Sequence, residues 1–207
     1  LRLSKRLRRW KETARHNDVP VFFFTLLRDP LSYAFSHFSF FHVQFRNPTF
    51  ERVQNVTEEN FLRLSLSNPQ CQFLFKGEPS MRAQVKKQIL VQPEECEAVH
   101  SSMMELMDWV GLTERLSNET LPLLSRLLDL PSGFTFEKHK VTKETGEYFG
   151  IDNVTSSAIE TILQRSSLDN WLYQSAKQNF PSSMWASSFH RFSLMGESHP
   201  FENDKTN

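Results

Sequence analysis

The sequence predicts an α/β fold: a parallel sheet with flanking helices and a helix-rich second half. Two observations carry this. Residues 20–27 read Pro-Val-Phe-Phe-Phe-Thr-Leu-Leu, a short continuous apolar run that fits a fully buried strand of a parallel sheet. Arg28-Asp29-Pro30 follows at once. Asp29 is a good N-cap and Pro30 a good first helical residue, so strand, tight turn and helix come in that order.

The other elements follow along the chain. Residues 1–16 carry Arg2, Lys5, Arg6, Arg8, Arg9, Lys11 and Arg15 against Glu12 alone, while Leu3, Leu7, Trp10 and Ala14 recur at helical spacing. This basic amphipathic helix either packs one face on a domain or faces an acidic polymer. The helix after Pro30 is expected over 30–43, a loop over 44–60 and a short helix over 58–66. Residues 68–76 read as irregular, with Phe73, Leu74 and Phe75 buried. A helix over 93–108 turns Val99, Met103 and Leu106 to one face, and Met103, Met104 and Met107 read as core packing. Residues 109–112 form a candidate short strand. Ser117 or Asn118 caps a helix running to Leu130, with Leu121, Leu124, Leu127 and Leu128 inward. A loop over 134–153 carries Lys138, His139, Lys140 and Lys143. Helices are expected over 155–164 and 168–180. A single domain spans 1–192, and a polar, flexible tail spans 193–207.

Composition bounds the function. The 207 residues hold 24 Lys+Arg and 24 Asp+Glu, which rules out a globally basic nucleic-acid binder as the default but not a local basic patch. No apolar run approaches the roughly 20 residues that cross a bilayer. Phe is abundant, 19 against 3 Tyr, and there are only 6 Gly, the first at Gly77. The chain starts at Leu1 and reads as a piece of something longer. Cys71 and Cys96 are either one bridge or two buried thiols, and no Cys/His spacing suits zinc. Asn55, Asn118 and Asn153 each open an Asn-x-Ser/Thr triplet. These triplets lean toward the secretory pathway, or they arise by chance, with Asn118 or Asn153 serving as helix caps.

Chemistry gathers at Arg28. In open α/β sheets, ligands bind outside the carboxyl ends of strands. A guanidinium there can grip a phosphate with two parallel hydrogen bonds, and the helix N-terminus adds free N–H groups. Ser36, two turns into the helix, can reach the same anion. The alternative is that Arg28 pairs with Asp29 or a surface carboxylate.

The stretch from Thr25 to Phe38, Thr-Leu-Leu-Arg-Asp-Pro-Leu-Ser-Tyr-Ala-Phe-Ser-His-Phe, resembles the 3′-phosphate-binding segment of sulfotransferases that use PAPS (3′-phosphoadenosine-5′-phosphosulfate). Three further segments are similar to the membrane-bound carbohydrate members of that family. They are Asn68-Pro-Gln70-Cys-Gln-Phe-Leu74, Trp109-Val-Gly-Leu-Thr-Glu114 with its Leu-rich sequel, and Leu168-Asp169-x-x-Leu172-Tyr173-x-x-Ala176. The resemblance covers roughly residues 20–180. It implies an incomplete P-loop-NTPase-like sulfotransferase fold, with Arg28 and Ser36 holding the 3′-phosphate. Tyr33 stands where the pattern often has an Arg. The family's phosphosulfate loop and its general base lie upstream of the Arg segment, where this chain has only the basic helix before Val21. The expectation is therefore a carboxyl-terminal portion lacking half the cofactor site.

The resemblance also implies the reaction, in which an acceptor hydroxyl takes the sulfuryl group of PAPS in line, with no metal. The implied partner is a carbohydrate or glycan acceptor, not nucleic acid. The implied place is the Golgi lumen, with a membrane anchor outside this chain, as in a type II membrane protein. His16, His37, His42 and His139 are available to titrate, and His37 reads as a satisfied, partly buried side chain rather than a base. Lys138, His139 and Lys140 contact glycan or nucleotide, or else form a solvated loop. The alternative function is a non-catalytic relative that binds an anionic glycan.

Overall fold

A computed structural model of the chain describes residues 2–44, 50–76, 92–131 and 149–179. Helix α1 (Arg2–His16) leads through an extended stretch to strand β1 (Phe24–Leu27) and helix α2 (Pro30–Phe38), which widens into a π-helical stretch over Ser39–Gln44. Then come α3 (Glu58–Leu64), α4 (Pro69–Lys76), α5 (Pro93–Leu106) and strand β2 (Trp109–Leu112). A 3-10 turn (Thr113–Arg115) and a second π-helical stretch (Leu116–Thr120) enter α6 (Leu121–Leu127). The 3-10 turn Ile151–Asn153 precedes α7 (Ser156–Arg165) and α8 (Ser167–Asn179).

The fold is mixed α/β and helix-rich, with a two-stranded parallel sheet among the described residues. Phe24 pairs with Trp109 and Leu27 with Leu112. β2 is buried throughout. β1 is not, which corrects the expectation of a fully buried strand over 20–27: Leu27 is buried, but Phe24 is 43% and Leu26 37% exposed. The reason is pairing. Among the described residues β1 has a neighbour on one edge only. The ladder also starts late, because the Phe23 N–H donates to the Asp108 carboxylate at 2.8 Å and its carbonyl accepts from the Asp108 N–H at 2.8 Å. Gly111 sits opposite Leu26, and a Cβ there would lie 2.8 Å from Leu26 Cδ2 and would also press on the Thr120 hydroxyl.

Two apolar clusters hold the elements together. In the first, Leu27, Val110 and Leu112 of the sheet meet Cys71 of α4, Cys96, Val99 and Met103 of α5, and Leu172 and Ala176 of α8. Met104 and Met107 pack against it, as their spacing predicted. Cys71 and Cys96 are disulfide-bonded. The second is aromatic. Phe35 stacks on Phe61 at 4.7 Å, and Phe38 and Phe149 close around them at 5.2–5.4 Å. Phe serves here where Tyr would not, since a buried hydroxyl would need a partner.

Several expectations are corrected. Residues 69–76 are helical rather than irregular, because Pro69 suits the first helical position and the distant Asp169 carboxylate accepts from the Gln70 and Cys71 N–H groups. Phe73 consequently faces outward, 44% exposed. Leu128 is 63% exposed: α6 ends at Leu127, so Leu128 leaves the helical phase, and the inward residue is Leu123. Ser117 and Asn118 cap nothing, since both lie exposed inside the π-helical stretch. Asn153 does not cap α7 either. Thr155 does, while the Asn153 side chain accepts from the Gly150 N–H. Lys138, His139, Lys140, Lys143, Phe75's side chain and the 193–207 tail lie outside the described residues.

Candidate anion site at the carboxyl end of the sheet

Parallel pairing sends both strands out of the sheet at the same end. β1 leaves through Arg28-Asp29, and β2 leaves through Thr113-Glu114. Gln70, at the second position of α4, reaches the first of these exits. Its Oε1 accepts from the Arg28 N–H at 2.8 Å, and its Nε2 donates to the Arg28 carbonyl at 2.8 Å. The Arg28 backbone is thus held as a neighbouring strand would hold it, but by one side chain. Glu114 fixes the next residue: its Oε1 accepts from the Asp29 N–H at 2.8 Å, and its Oε2 accepts from the Tyr173 hydroxyl at 3.3 Å.

Gln70 is itself anchored. Asp169 is buried, and its two oxygens accept from the Gln70 and Cys71 N–H groups at 2.8 Å each. Burial pushes the Asp169 carboxyl up to about 7, against the lowering effect of those two bonds. Burial also pushes the Tyr33 hydroxyl up to about 12, helped by the Asp169 charge and opposed by Arg28.

Arg28 is half-buried, and among the described residues its guanidinium forms no ion pair or hydrogen bond. The pairing with Asp29 does not form, because the Asp29 carboxylate caps α2 instead, accepting from the Ser32 N–H at 2.8 Å. That corrects a second expectation. The first turn of α2 offers a ligand few donors: Pro30 has no N–H, Ser32 donates to the Asp29 side chain and Tyr33 to the Asp29 carbonyl, which leaves the Leu31 N–H. Ser36 is half-buried on α2, one turn beyond Ser32, and its hydroxyl also has no hydrogen bond among the described residues. Arg28 and Ser36 do not bond to each other.

The histidines lie apart from this. His37 is buried, ringed by Tyr33, Phe41, His42 and Phe50 at centroid distances of 4.7–6.1 Å. Among the described residues its Nε2 has no partner, so it is not the satisfied side chain expected. Burial, and then His42, push it down to about 3. It is a neutral core group. His42 donates through Nδ1–H to the Glu51 carbonyl, 2.7 Å away, and His16 ends α1 in solvent. His139 lies outside the described residues.

Sequence reasoning named Arg28 and Ser36 but gave no role to Gln70, Glu114 or Asp169. The only signal for them was their place in the segments quoted above. Those four segments converge here, each contributing one part of the Arg28 surroundings. Comparison with models of known families, with curated proteins and with solved structures finds no match to this chain.

Proposed function

We propose that the chain is the nucleotide-holding part of a PAPS-dependent carbohydrate sulfotransferase, with Arg28 and Ser36 at the 3′-phosphate. The observation that carries this reading is Arg28: a half-buried cation at the carboxyl end of a parallel strand, its backbone clamped by Gln70, its guanidinium unpaired among the described residues. Leaving a partly desolvated cation without a counter-charge is costly unless a ligand supplies one.

A phosphate suits the Arg28 guanidinium chemically. The planar guanidinium donates two parallel N–H bonds to phosphate oxygens, and the Ser36 hydroxyl donates a further one. When bound, PAPS supplies the sulfuryl group that a carbohydrate hydroxyl takes in line. The residues of this chain act at the other end of that molecule. Arg28 and Ser36 hold its 3′ phosphate, and Gln70 keeps Arg28 from shifting. Binding energy gained there orients the reacting end. Passage through the secretory pathway, as for a Golgi enzyme, is supported by the Cys71–Cys96 bridge and by Asn55, Asn118 and Asn153, all exposed.

The test is thermal stability with nucleotide. Adenosine 3′,5′-bisphosphate raises the melting temperature of the chain, and adenosine 5′-monophosphate, which lacks the 3′-phosphate, does not. Arg28→Ala abolishes the shift. Equal shifts from both nucleotides, or none from either, overturn the reading.

A further inference from the structure

The three Asn-x-Ser/Thr triplets are not equivalent in the fold. Residues 54–57 lie in no helix or strand and are all exposed, so Asn55 and Thr57 stand in solvent together. Among the described residues the Asn55 side chain makes no hydrogen bond. Asn153 ends a 3-10 turn and is exposed, as is Thr155. Asn153 uses only its side-chain oxygen, which accepts from the Gly150 N–H at 2.9 Å, and its amide nitrogen has no bond among the described residues. Asn118 differs. Its side chain is exposed, but its triplet runs through the π-helical stretch before α6 and Thr120 is 0% exposed. The Thr120 hydroxyl packs on Gly111 of β2, where an added Cβ would collide with it. The two open triplets are also neighbours in space. Glu58 follows Thr57 and takes hold of Thr155, 97 residues away: its carboxylate accepts from the Thr155 N–H and, at 3.1 Å, from the Thr155 hydroxyl. Gln54, Val56 and Asn153 line one open cleft.

We propose that Asn55 and Asn153 are a pair of N-linked glycan attachment sites on one face of the protein, and that Asn118 is not one. Attachment needs the side-chain amide and the hydroxyl two residues on, presented together at a surface. Asn55 with Thr57 and Asn153 with Thr155 offer both groups. In the step itself, the amide nitrogen forms a bond to the anomeric carbon of an oligosaccharide carried on a lipid pyrophosphate. That carbon's bond to the pyrophosphate oxygen breaks, the lipid pyrophosphate leaves with the bonding pair, and the amide gives up one proton. At Asn118 the fold withdraws the second group. Gly111 is a near neighbour of Thr120 in sequence, so the contact that buries the hydroxyl needs only a short loop to close. The modified face joins the start of α3 to the start of α7, and the Glu58–Thr155 contacts hold its two halves together. The Cys71–Cys96 bridge belongs to an oxidising compartment, where such attachment takes place. The assignment shares with the proposed function only the secretory route, and the nucleotide site has no part in it.

The test is site mapping on the full chain directed into the secretory pathway of an animal cell. The product is denatured, digested with peptide N-glycosidase in heavy-oxygen water and read by peptide mass spectrometry. Asn55 and Asn153 return as heavy Asp, and Asn118 returns as unlabelled Asn. In the intact mass, Asn55→Asp and Asn153→Asp each remove one glycan, the double variant removes all of them, and Asn118→Asp removes none. Asp keeps the oxygen that accepts from the Gly150 N–H and loses only the amide, so the variants separate attachment from folding. A variant that is retained in the cell is mapped in the same way, because attachment precedes export. An unmodified Asn55 or Asn153 overturns the pair. Asn118 labelled as fully as the other two overturns the selection by the fold. The melting-temperature shift with adenosine 3′,5′-bisphosphate is the same in the glycosylated chain and in the Asn55→Asp, Asn153→Asp double variant. Its absence from both would count against the Arg28 site and leave the glycan assignment standing.

Discussion

Asn68 and Asp169 start each other's helices. The Asn68 Oδ1 accepts from the Leu168 and Asp169 N–H groups of α8, at 2.9 and 3.1 Å, while the Asp169 carboxylate accepts from the Gln70 and Cys71 N–H groups of α4. Each helix leaves orphan donors in its first turn, and each is satisfied from the other's sequence, about a hundred residues away. Asn68 does this with a left-handed backbone, φ 46°, a conformation Asn and Gly adopt most readily.

That geometry orders three variants. Asn68→Gly keeps the backbone angle and loses the cap, lowering stability by about 1 kcal/mol. Asn68→Ala keeps a Cβ in the left-handed region without the polar side chain that lets Asn tolerate it, adding about 1 kcal/mol more. Asp169→Ala costs the most, because two buried N–H groups lose their acceptor at about 1–3 kcal/mol each. Urea unfolding at pH 7 reads all three, and Asn68→Ala at or above the stability of Asn68→Gly would contradict the account.

Asp169 and His37 pull the pH profile in opposite directions. The folded chain holds the Asp169 proton up to about pH 7, while the unfolded chain releases it near 3.8, so this group makes stability fall as pH rises between those values. His37 stays neutral in the fold down to about 3 but titrates near 6.5 when unfolded, so it makes stability rise with pH over that window. His42, also lowered by burial, acts with His37. The parent profile is the difference of these terms. Asp169→Asn steepens the rise from pH 4 to 7, and His37→Phe flattens or inverts it. Parallel profiles in all three chains would count against both assignments.

Gln70 holds the Arg28 backbone through two hydrogen bonds. Gln70→Ala removes two hydrogen bonds, a loss of about 1–3 kcal/mol in stability, and weakens adenosine 3′,5′-bisphosphate further by freeing the Arg28 backbone. Arg28→Lys retains a weaker shift than the parent, since an ammonium offers charge without the planar fork. Calorimetric titration separates the cases: Gln70→Ala with unchanged nucleotide affinity would remove it from the site.

The Cys71–Cys96 bridge spans 25 residues and joins α4 to α5 inside the first core. Closing a loop of that size contributes about 3 kcal/mol. Cys71→Ser with Cys96→Ser lowers the unfolding midpoint in urea accordingly, and reductant destabilises the parent but not the double variant.

Much of this architecture was written in local pattern. The strand–turn–helix around Arg28, the helical face of Val99, Met103 and Leu106, and the short strand at Trp109 each follow from spacing within a few residues. α4 carried a signal of the same kind, Asn68-Pro69, and the apolar Phe73-Leu74-Phe75 drew attention from it. The surroundings of Arg28 were legible only as separate segments. That Gln70 clamps a residue 42 positions back, or that Asp169 holds Gln70, leaves no periodicity to read. Side-chain direction misled at Phe73 and Leu128, where a helix boundary shifts which residue faces inward.

The chain of support Asp169–Gln70–Arg28 runs backward along the polypeptide. A ribosome delivers Asp169 some 140 residues after Arg28, so the cation's seat stays unfinished over that stretch of synthesis. Until α8 emerges, α4 lacks the carboxylate that seats Gln70, and Arg28 lacks a fixed backbone. A nascent chain cut short before Asp169 therefore carries Arg-Asp-Pro without a fixed Arg28 backbone.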